Sequence, residues 1–128
     1  MIPTCIRKLK NNESIPVYGN GSNIRDWIYV KDHVNCIWNV LENGDVGNQY
    51  LIGGNNEMTN LELIENIKIA YEEVTNTKVD YDYIQYVTDR KGHDLRYAID
   101  MFDYEQKFGK LQYYNFTESL KQTIISYL

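Results

Sequence analysis

Apolar residues recur at helical spacing in five segments of this chain. In the first segment, Ile2, Cys5, Ile6 and Leu9 fall on one face of a helix that ends in a polar stretch. Later segments begin with short polar residues, whose side chains accept hydrogen bonds from the unpaired N–H groups of a first helical turn. The predicted helices cover residues 1–11, 32–43, 59–74, 100 or 103 to 108, and 117–127, with Asp32, Thr59 and Thr117 as N-caps.

Five shorter apolar segments lie between these helices and predict strands. They cover residues 15–18, 26–30, 49–52, 83–87 and 96–99, and glycine-containing turns follow the first and the third. Helices and strands alternate along the chain, so the sequence predicts an α/β fold. The strands are too few and too short for a complete doubly wound sheet.

The length of 128 residues predicts a single domain over residues 1–128. The formal net charge of -5 argues against a nucleic-acid partner, since such a surface presents a basic face to the phosphate backbone. No apolar run reaches the roughly 20 residues that a membrane helix needs, so we expect no membrane partner. Cys5 and Cys36 lack the spacing of metal ligands and predict neither a disulfide nor a zinc site, which favours a reducing, cytoplasmic location.

One loop gathers positive charge in this acidic chain. Arg90, Lys91, His93 and Arg96 surround a glycine within residues 89–100. Such a cluster suits a phosphorylated small molecule, because a guanidinium group presents donors that match two phosphate oxygens at once. The alternative is a solvated turn whose charges are balanced by the neighbouring aspartates.

Three segments occur in the order and spacing of one protein family. They are residues 16–34, which include Asn-Ile-Arg-Asp-Trp-Ile-Tyr-Val, residues 50–57, and residues 89–100. With the closing segment 118–128, they resemble the C-terminal part of the nucleotide-sugar dehydratases, which are extended short-chain dehydrogenases, and among these the dTDP-glucose 4,6-dehydratases most of all. The resemblance implies a partial fold, namely the C-terminal substrate-binding lobe with an edge strand and a helix of the Rossmann domain, whose Gly-rich nucleotide-binding half is absent.

The resemblance also implies a binding site for a nucleotide-diphosphate sugar. Arg25 and Arg90 correspond to the residues that hold the diphosphate in this family, and His93 corresponds to a position beside the nucleotide. Pro16 and Tyr18 correspond to positions that line the base and the ribose. Two guanidinium groups from separate loops can neutralise a doubly charged diphosphate and fix its orientation.

Structural roles remain open for the same cations. The alternative ion pairs are Arg25 with Asp26 or Asp32, and Arg90 with Asp89 or Asp94. We expect Arg96 to be structural, paired with Asp94 or Asp100. We leave His33 out of the site, because a histidine at a helix start is more often a capping or packing residue than a base.

Two positions depart from the family pattern. Leu51 stands where the family often has an Asn that reaches the nucleotide sugar, so this contact is lost or is supplied by Asn55. Lys91 replaces the usual Pro after Arg90, which loosens the loop but adds a positive charge.

The chain contains none of the residues that the family uses for its chemical step. It has neither GxGxxG nor GxxGxxG, the glycine-rich turns that bind NAD. None of its 12 tyrosines is followed four positions later by Lys, as the catalytic Tyr of the family is. The acid–base pair of the family also lies outside the resemblance. NAD serves the full-length family, and we expect neither NAD nor a metal to bind this chain alone.

Two functions follow from this reading. The resemblance implies that the chain is the nucleotide-sugar-binding portion of an NAD-dependent dTDP-glucose 4,6-dehydratase, a lyase of deoxysugar synthesis. We expect the chain to be inactive on its own. Alternatively, it is a non-enzymatic module of the same descent that binds a nucleotide or another protein. In either case Trp27, Ile28, Val30, Ile37 and Trp38 would form an apolar surface that predicts self-association or pairing with a Rossmann half.

Overall fold

The described residues form five helices and four short strands, which are interspersed along the chain. The computed structural model describes residues 1–89 and 91–128, so Arg90, expected to hold the diphosphate, lies outside the described residues. The elements are α1 (Ile2–Lys10), β1 (Ile15–Tyr18), β2 (Ile24–Asp26), α2 (Val30–Asn43), β3 (Glu57–Thr59), α3 (Asn60–Thr75), β4 (Ile84–Val87), α4 (Phe102–Phe108) and α5 (Phe116–Ile125).

The strands form two separate pairs that join distant parts of the chain. β1 runs parallel to β4, with Ile15 opposite Ile84. β2 runs antiparallel to β3, and Ile24 also makes a single parallel bridge to Arg96. The first half of the chain is therefore held against the segment that follows β4.

The main core lies where α1, β1, α3 and α5 meet. Its buried members are Cys5, Ile6 and Leu9 from α1, Ile15 and Val17 from β1, Leu63, Ile64, Ile67, Ala70 and Tyr71 from α3, and Leu120 and Ile124 from α5. Because successive side chains of a strand point to opposite faces, Pro16 and Tyr18 face away from this core.

A smaller core lies between α2 and α4. Cys36, Met101 and Tyr104 are buried together there. Both cysteines of the chain are buried as free thiols. The opposite face of α2 is exposed, and it includes the predicted residues Val30, Ile37 and Trp38, whereas Trp27 and Ile28 are only half-buried.

Three strand predictions need correction. The strand predicted at 26–30 is observed at Ile24–Asp26, because Asp26 accepts hydrogen bonds from the amides of Gly54 and Asn56 at 2.7 and 2.8 Å and ends the pairing with β3. Residues 49–52 form no strand, since the chain pairs with β2 further on, at Glu57–Thr59. Residues 96–99 form only the bridge at Arg96.

Two of the predicted N-caps also need correction. Asp32 does not cap α2, which begins at Val30, because its buried carboxylate accepts a hydrogen bond from the Tyr114 amide at 3.2 Å instead. The N-cap of α5 is Asn115 rather than Thr117, and its side chain accepts from the Glu118 amide.

Candidate functional site

A cleft of about 500 Å³ opens between α1, β1, β2 and the start of α3. Its lining residues are Met1, Thr4, Cys5, Ile15, Pro16, Val17, Tyr18, Arg25, Trp27, Asn60 and His93. Four of the five predicted site residues, Pro16, Tyr18, Arg25 and His93, are thus brought to one cavity from three separate segments. The fifth, Arg90, lies outside the described residues.

β1 presents Pro16 and Tyr18 to the cleft. Ile15 and Val17 anchor the strand in the main core, so the alternate side chains face outward. The turn after β1 brings Gly19 close to the cationic loop, because its amide donates to the carbonyl of Val87 at 2.9 Å. A Cβ atom at Gly19 would lie 3.1 Å from the Asp89 carboxylate, and the positive φ of +60° also favours glycine there.

Arg25 is held by main-chain oxygens at the edge of the cleft. Its Nη1 donates to the carbonyl of Ile24 at 2.6 Å and, more weakly, to that of Leu95 at 3.4 Å. Its Nη2 donates to the carbonyl of Asp94 at 3.0 Å and lies 3.1 Å from Nε2 of His93. These contacts set the guanidinium group against the loop that carries the other predicted cations.

The positive charge of Arg25 has no carboxylate partner among the described residues. None of the ion pairs between them includes Arg25. The alternative pairing with Asp26 or Asp32 is therefore wrong, since those two carboxylates accept main-chain amides elsewhere. An unneutralised guanidinium at a cleft attracts an anion.

His93 bridges Arg25 and Asp89. Its Nδ1 lies 3.2 Å from Oδ1 of Asp89, and its Nε2 faces Arg25. A carboxylate only accepts and a guanidinium only donates, so both contacts are satisfied when Nδ1 carries the proton and Nε2 accepts. The imidazole is thereby fixed in orientation beside the cleft.

Arg96 has a structural partner, although not one of those expected. Its guanidinium group donates to both oxygens of Glu57 at 2.7 Å, and this hydrogen-bonded pair lowers the pKa of Glu57. The predicted partners Asp94 and Asp100 are therefore wrong. The pair ties β3 to the segment that follows His93.

Gly53 and Gly54 pack closely against Asp26 and the residues that follow β2, and they do not line the cleft. A Cβ atom at Gly54 would lie 2.0 Å from the carbonyl oxygen of Trp27. Leu51 is exposed, and Asn55 lies at cavities formed with Tyr113, away from the cleft. Neither residue lines the cleft, and the contact expected from Asn55 stays a prediction.

Sequence reasoning missed two residues beside the predicted site. Asn60, the first residue of α3, lines the same cleft as Arg25, because β3, which directly precedes it, pairs with β2. The ring of Tyr97 lies under the Arg25 guanidinium group, with 4.3 Å between the ring centroid and Cζ. The only local signal for Asn60 is its position directly after the N-cap Thr59. This signal predicts a helix start but does not predict that β3 pairs with β2, which brings Asn60 to the cleft.

Other kinds of site find no support in the part of the chain that is described. Within residues 1–89 and 91–128, no cluster of three or more His, Cys, Asp or Glu side chains could hold a metal ion. Burial raises the pKa of the Cys5 thiol at the cleft to about 11, so it is a poor nucleophile. No helix in these ranges is both long and apolar enough to span a membrane.

Known proteins resemble this chain over its whole length. A family model described as GDP-mannose 4,6 dehydratase matches residues 1–123. A probable dTDP-glucose 4,6-dehydratase of Sinorhizobium fredii is 39% identical over 129 residues, which cover 100% of this chain and 37% of the relative.

Solved structures of dTDP-glucose 4,6-dehydratases have the same fold over this region. The Bacillus anthracis enzyme in complex with NAD is 40% identical with a TM-score of 0.81, over 98% of this chain and 38% of that one. A double mutant of DesIV from Streptomyces venezuelae, with NAD and a dTDP-sugar bound, is 35% identical with a TM-score of 0.85, over 99% and 38%. The chain thus spans less than two fifths of the length of these relatives. It belongs to the GDP-mannose 4,6 dehydratase family and has an α/β fold that is part of the extended short-chain dehydrogenase fold.

Proposed function

We propose that this chain is the nucleotide-sugar-binding portion of an NAD-dependent dTDP-glucose 4,6-dehydratase, folded as one domain over residues 1–128. Its relatives carry that name, and the Streptomyces venezuelae structure holds both NAD and a dTDP-sugar. A cytoplasmic location fits its two buried free thiols.

One observation carries the proposal. Arg25 reaches the same cleft as Pro16, Tyr18 and His93, and no described carboxylate neutralises it. A diphosphate supplies the missing negative charge and accepts the charge-assisted bonds that a guanidinium group forms best. The base and ribose would lie along the outward face of β1, and Arg90 would add a second guanidinium group.

The chain alone is expected to bind the ligand without transforming it. The sequence has no glycine-rich turn for NAD and no Tyr-Lys pair for proton transfer. The proposed role is to hold the nucleotide, while NAD and the catalytic side chains would act from the remainder of the enzyme. We therefore expect neither dehydratase activity nor NAD binding from these 128 residues.

A nuclear magnetic resonance titration with dTDP tests the proposal. We expect a dissociation constant near the millimolar level, about -4 kcal/mol, with shifts at Tyr18, Arg25 and His93. Arg25→Ala should weaken binding by about 1.5 to 3 kcal/mol, because a charge-assisted hydrogen bond is lost. Arg7→Ala is the matched control, since Arg7 is an exposed arginine of α1 outside the cleft.

The same titration is repeated with NAD, and each ligand has its own contradicting outcome. In the dTDP titration, shifts confined to other surfaces would contradict the assignment of the cleft. Equal losses of dTDP affinity in Arg25→Ala and Arg7→Ala would contradict it as well. A micromolar dissociation constant for NAD would contradict the proposal that NAD binds to the remainder of the enzyme and not to this chain.

The second candidate function is that of an interaction module, favoured by the exposed face of α2. Val30, Val34, Ile37, Trp38 and Leu41 recur at helical spacing, and their side chains are 48–73% exposed. A contiguous apolar face of this kind usually marks an interaction surface. We propose that it pairs with a Rossmann half or, in its absence, with a second copy of the chain.

A further inference from the structure

The face of the Arg25 guanidinium group is covered by an aromatic ring. The ring centroid of Tyr97 lies 4.3 Å from Cζ of Arg25, within the range of a cation–π contact. Tyr97 is not among the residues that line the cleft, whereas Arg25 is. Any effect of Tyr97 on a ligand in the cleft therefore passes through Arg25.

Tyr97 is itself held in place at both ends. Its hydroxyl donates to Oδ2 of Asp94 at 2.5 Å, and this acceptor raises the pKa of the Tyr97 phenol. Its amide donates to the carbonyl of Ile24, the residue before Arg25, at 3.2 Å. The ring thus has a fixed position relative to β2.

Asp94 connects the ring with the cation. Its carbonyl accepts from Nη2 of Arg25 at 3.0 Å, while its carboxylate accepts from the Tyr97 hydroxyl. Asp94 therefore fixes the position of both the Arg25 guanidinium group and the Tyr97 ring beneath it. A long, flexible side chain gains a defined orientation before any ligand arrives, and such preorganisation lowers the entropic cost of binding.

We propose that Tyr97 is a positioning residue, which orients Arg25 for a nucleoside diphosphate by stacking on its guanidinium group. This inference rests on the proposed function of the cleft and adds to it a residue that does not touch the ligand. The ring, more than the hydroxyl, is the part that acts, because the cation contacts the π face.

Four forms of the full 128-residue chain test this role with dTDP as the probe. They are the unchanged chain, Tyr97→Phe, Tyr97→Leu and the control Tyr114→Leu, whose side chain is 53% exposed like that of Tyr97 but packs on Tyr29. We expect Tyr97→Leu to weaken dTDP binding about two- to fivefold, as the loss of an exposed cation–π contact predicts. Tyr97→Phe keeps the ring and should stay within about twofold of the unchanged chain, as should Tyr114→Leu.

A second readout reports on Arg25 without any ligand. Protons above an aromatic ring resonate upfield, so the Arg25 side-chain signals should be shifted upfield in the unchanged chain and in Tyr97→Phe. The shift should disappear in Tyr97→Leu. Pentafluorophenylalanine at position 97 keeps the shape of the ring but reverses its quadrupole, and it should weaken binding as leucine does, which preserves the test should leucine disturb the fold.

The outcomes separate this inference from the proposed function. Failure of the unchanged chain to bind dTDP overturns the proposed function and the inference with it. Normal dTDP binding by Tyr97→Leu overturns the inference alone. Equal losses in Tyr97→Phe and Tyr97→Leu assign the effect to the bond with Asp94 and overturn the stacking role.

Discussion

The half-buried position of Tyr113 raises the pKa of its phenol. Its hydroxyl donates to the carbonyl of Gly53 at 3.0 Å, and desolvation raises its pKa to about 12, with a further contribution from the carboxylate of Asp26. An unfolded tyrosine ionises near pH 10. The native state therefore keeps a proton that the unfolded chain gives up.

Stability should fall as the pH rises from about 10 to 12, because only the unfolded state ionises Tyr113 in that interval. The contribution of this group is complete below pH 10 and is lost as the pH approaches the folded pKa. In Tyr113→Phe the free energy of unfolding should fall less steeply with rising pH than in the unchanged chain. Urea denaturation at pH 8 to 12 measures this difference. A remaining slope is expected from Tyr83, whose pKa burial also raises to about 12. Tyr86→Phe, at an exposed position, controls for the loss of a hydroxyl. The prediction is contradicted if the free energy of unfolding of Tyr113→Phe depends on pH as steeply as that of the unchanged chain.

At the scale of elements, α3 depends on a reciprocal cap. The Thr59 hydroxyl accepts from the Glu62 amide at 3.2 Å, and the Glu62 carboxylate accepts from the Thr59 amide at 2.7 Å. Thr59→Ala should lower the free energy of unfolding by about 1 kcal/mol, because two N–H groups of the first turn lose or loosen their partners. Thermal or urea unfolding measures the change. Thr77→Ala, at an exposed threonine beyond the end of α3, is the control, and the prediction fails if both substitutions cost the same.

Local signals account for the elements that the sequence predicts well. The capping box and the apolar period of α3 lie within the segment itself, so they identify the helix without any neighbour. α2 begins earlier than predicted, because the carboxylate of Asp32 is used by the amide of Tyr114, 82 positions later. The strand predicted at 49–52 fails for the same reason, since the partner of β2 is decided by tertiary pairing and not by local apolar content.

The same distinction applies to the site. The family resemblance predicts a site that includes Pro16, Tyr18, Arg25 and His93. The structure gathers these four residues at one cleft, and their role in binding stays a prediction. Tyr97 could not be found in this way, because its contact with Arg25 depends on a bridge between segments about 70 positions apart.

At the scale of the whole molecule, the exposed face of α2 should govern association. Sedimentation of the unchanged chain should show a mass that rises with concentration, because this apolar face is removed from water by pairing. The double substitution Trp38→Glu with Leu41→Glu should yield a monomer at every concentration. Ile69→Glu, at an exposed position of α3, is the matched control and should associate like the unchanged chain. A stable monomer of the unchanged chain at high concentration would disprove the prediction.

The cleft has a consequence for the order of folding. The bonds from Arg25 to the carbonyls of Leu95 and Asp94 and to His93 span 68 to 70 positions of the chain. Contacts between such distant positions carry a large entropic cost of loop closure and tend to form after local helices such as α3. A nucleotide that recognises only the finished cleft would therefore leave the rate of folding nearly unchanged and act mainly by slowing unfolding.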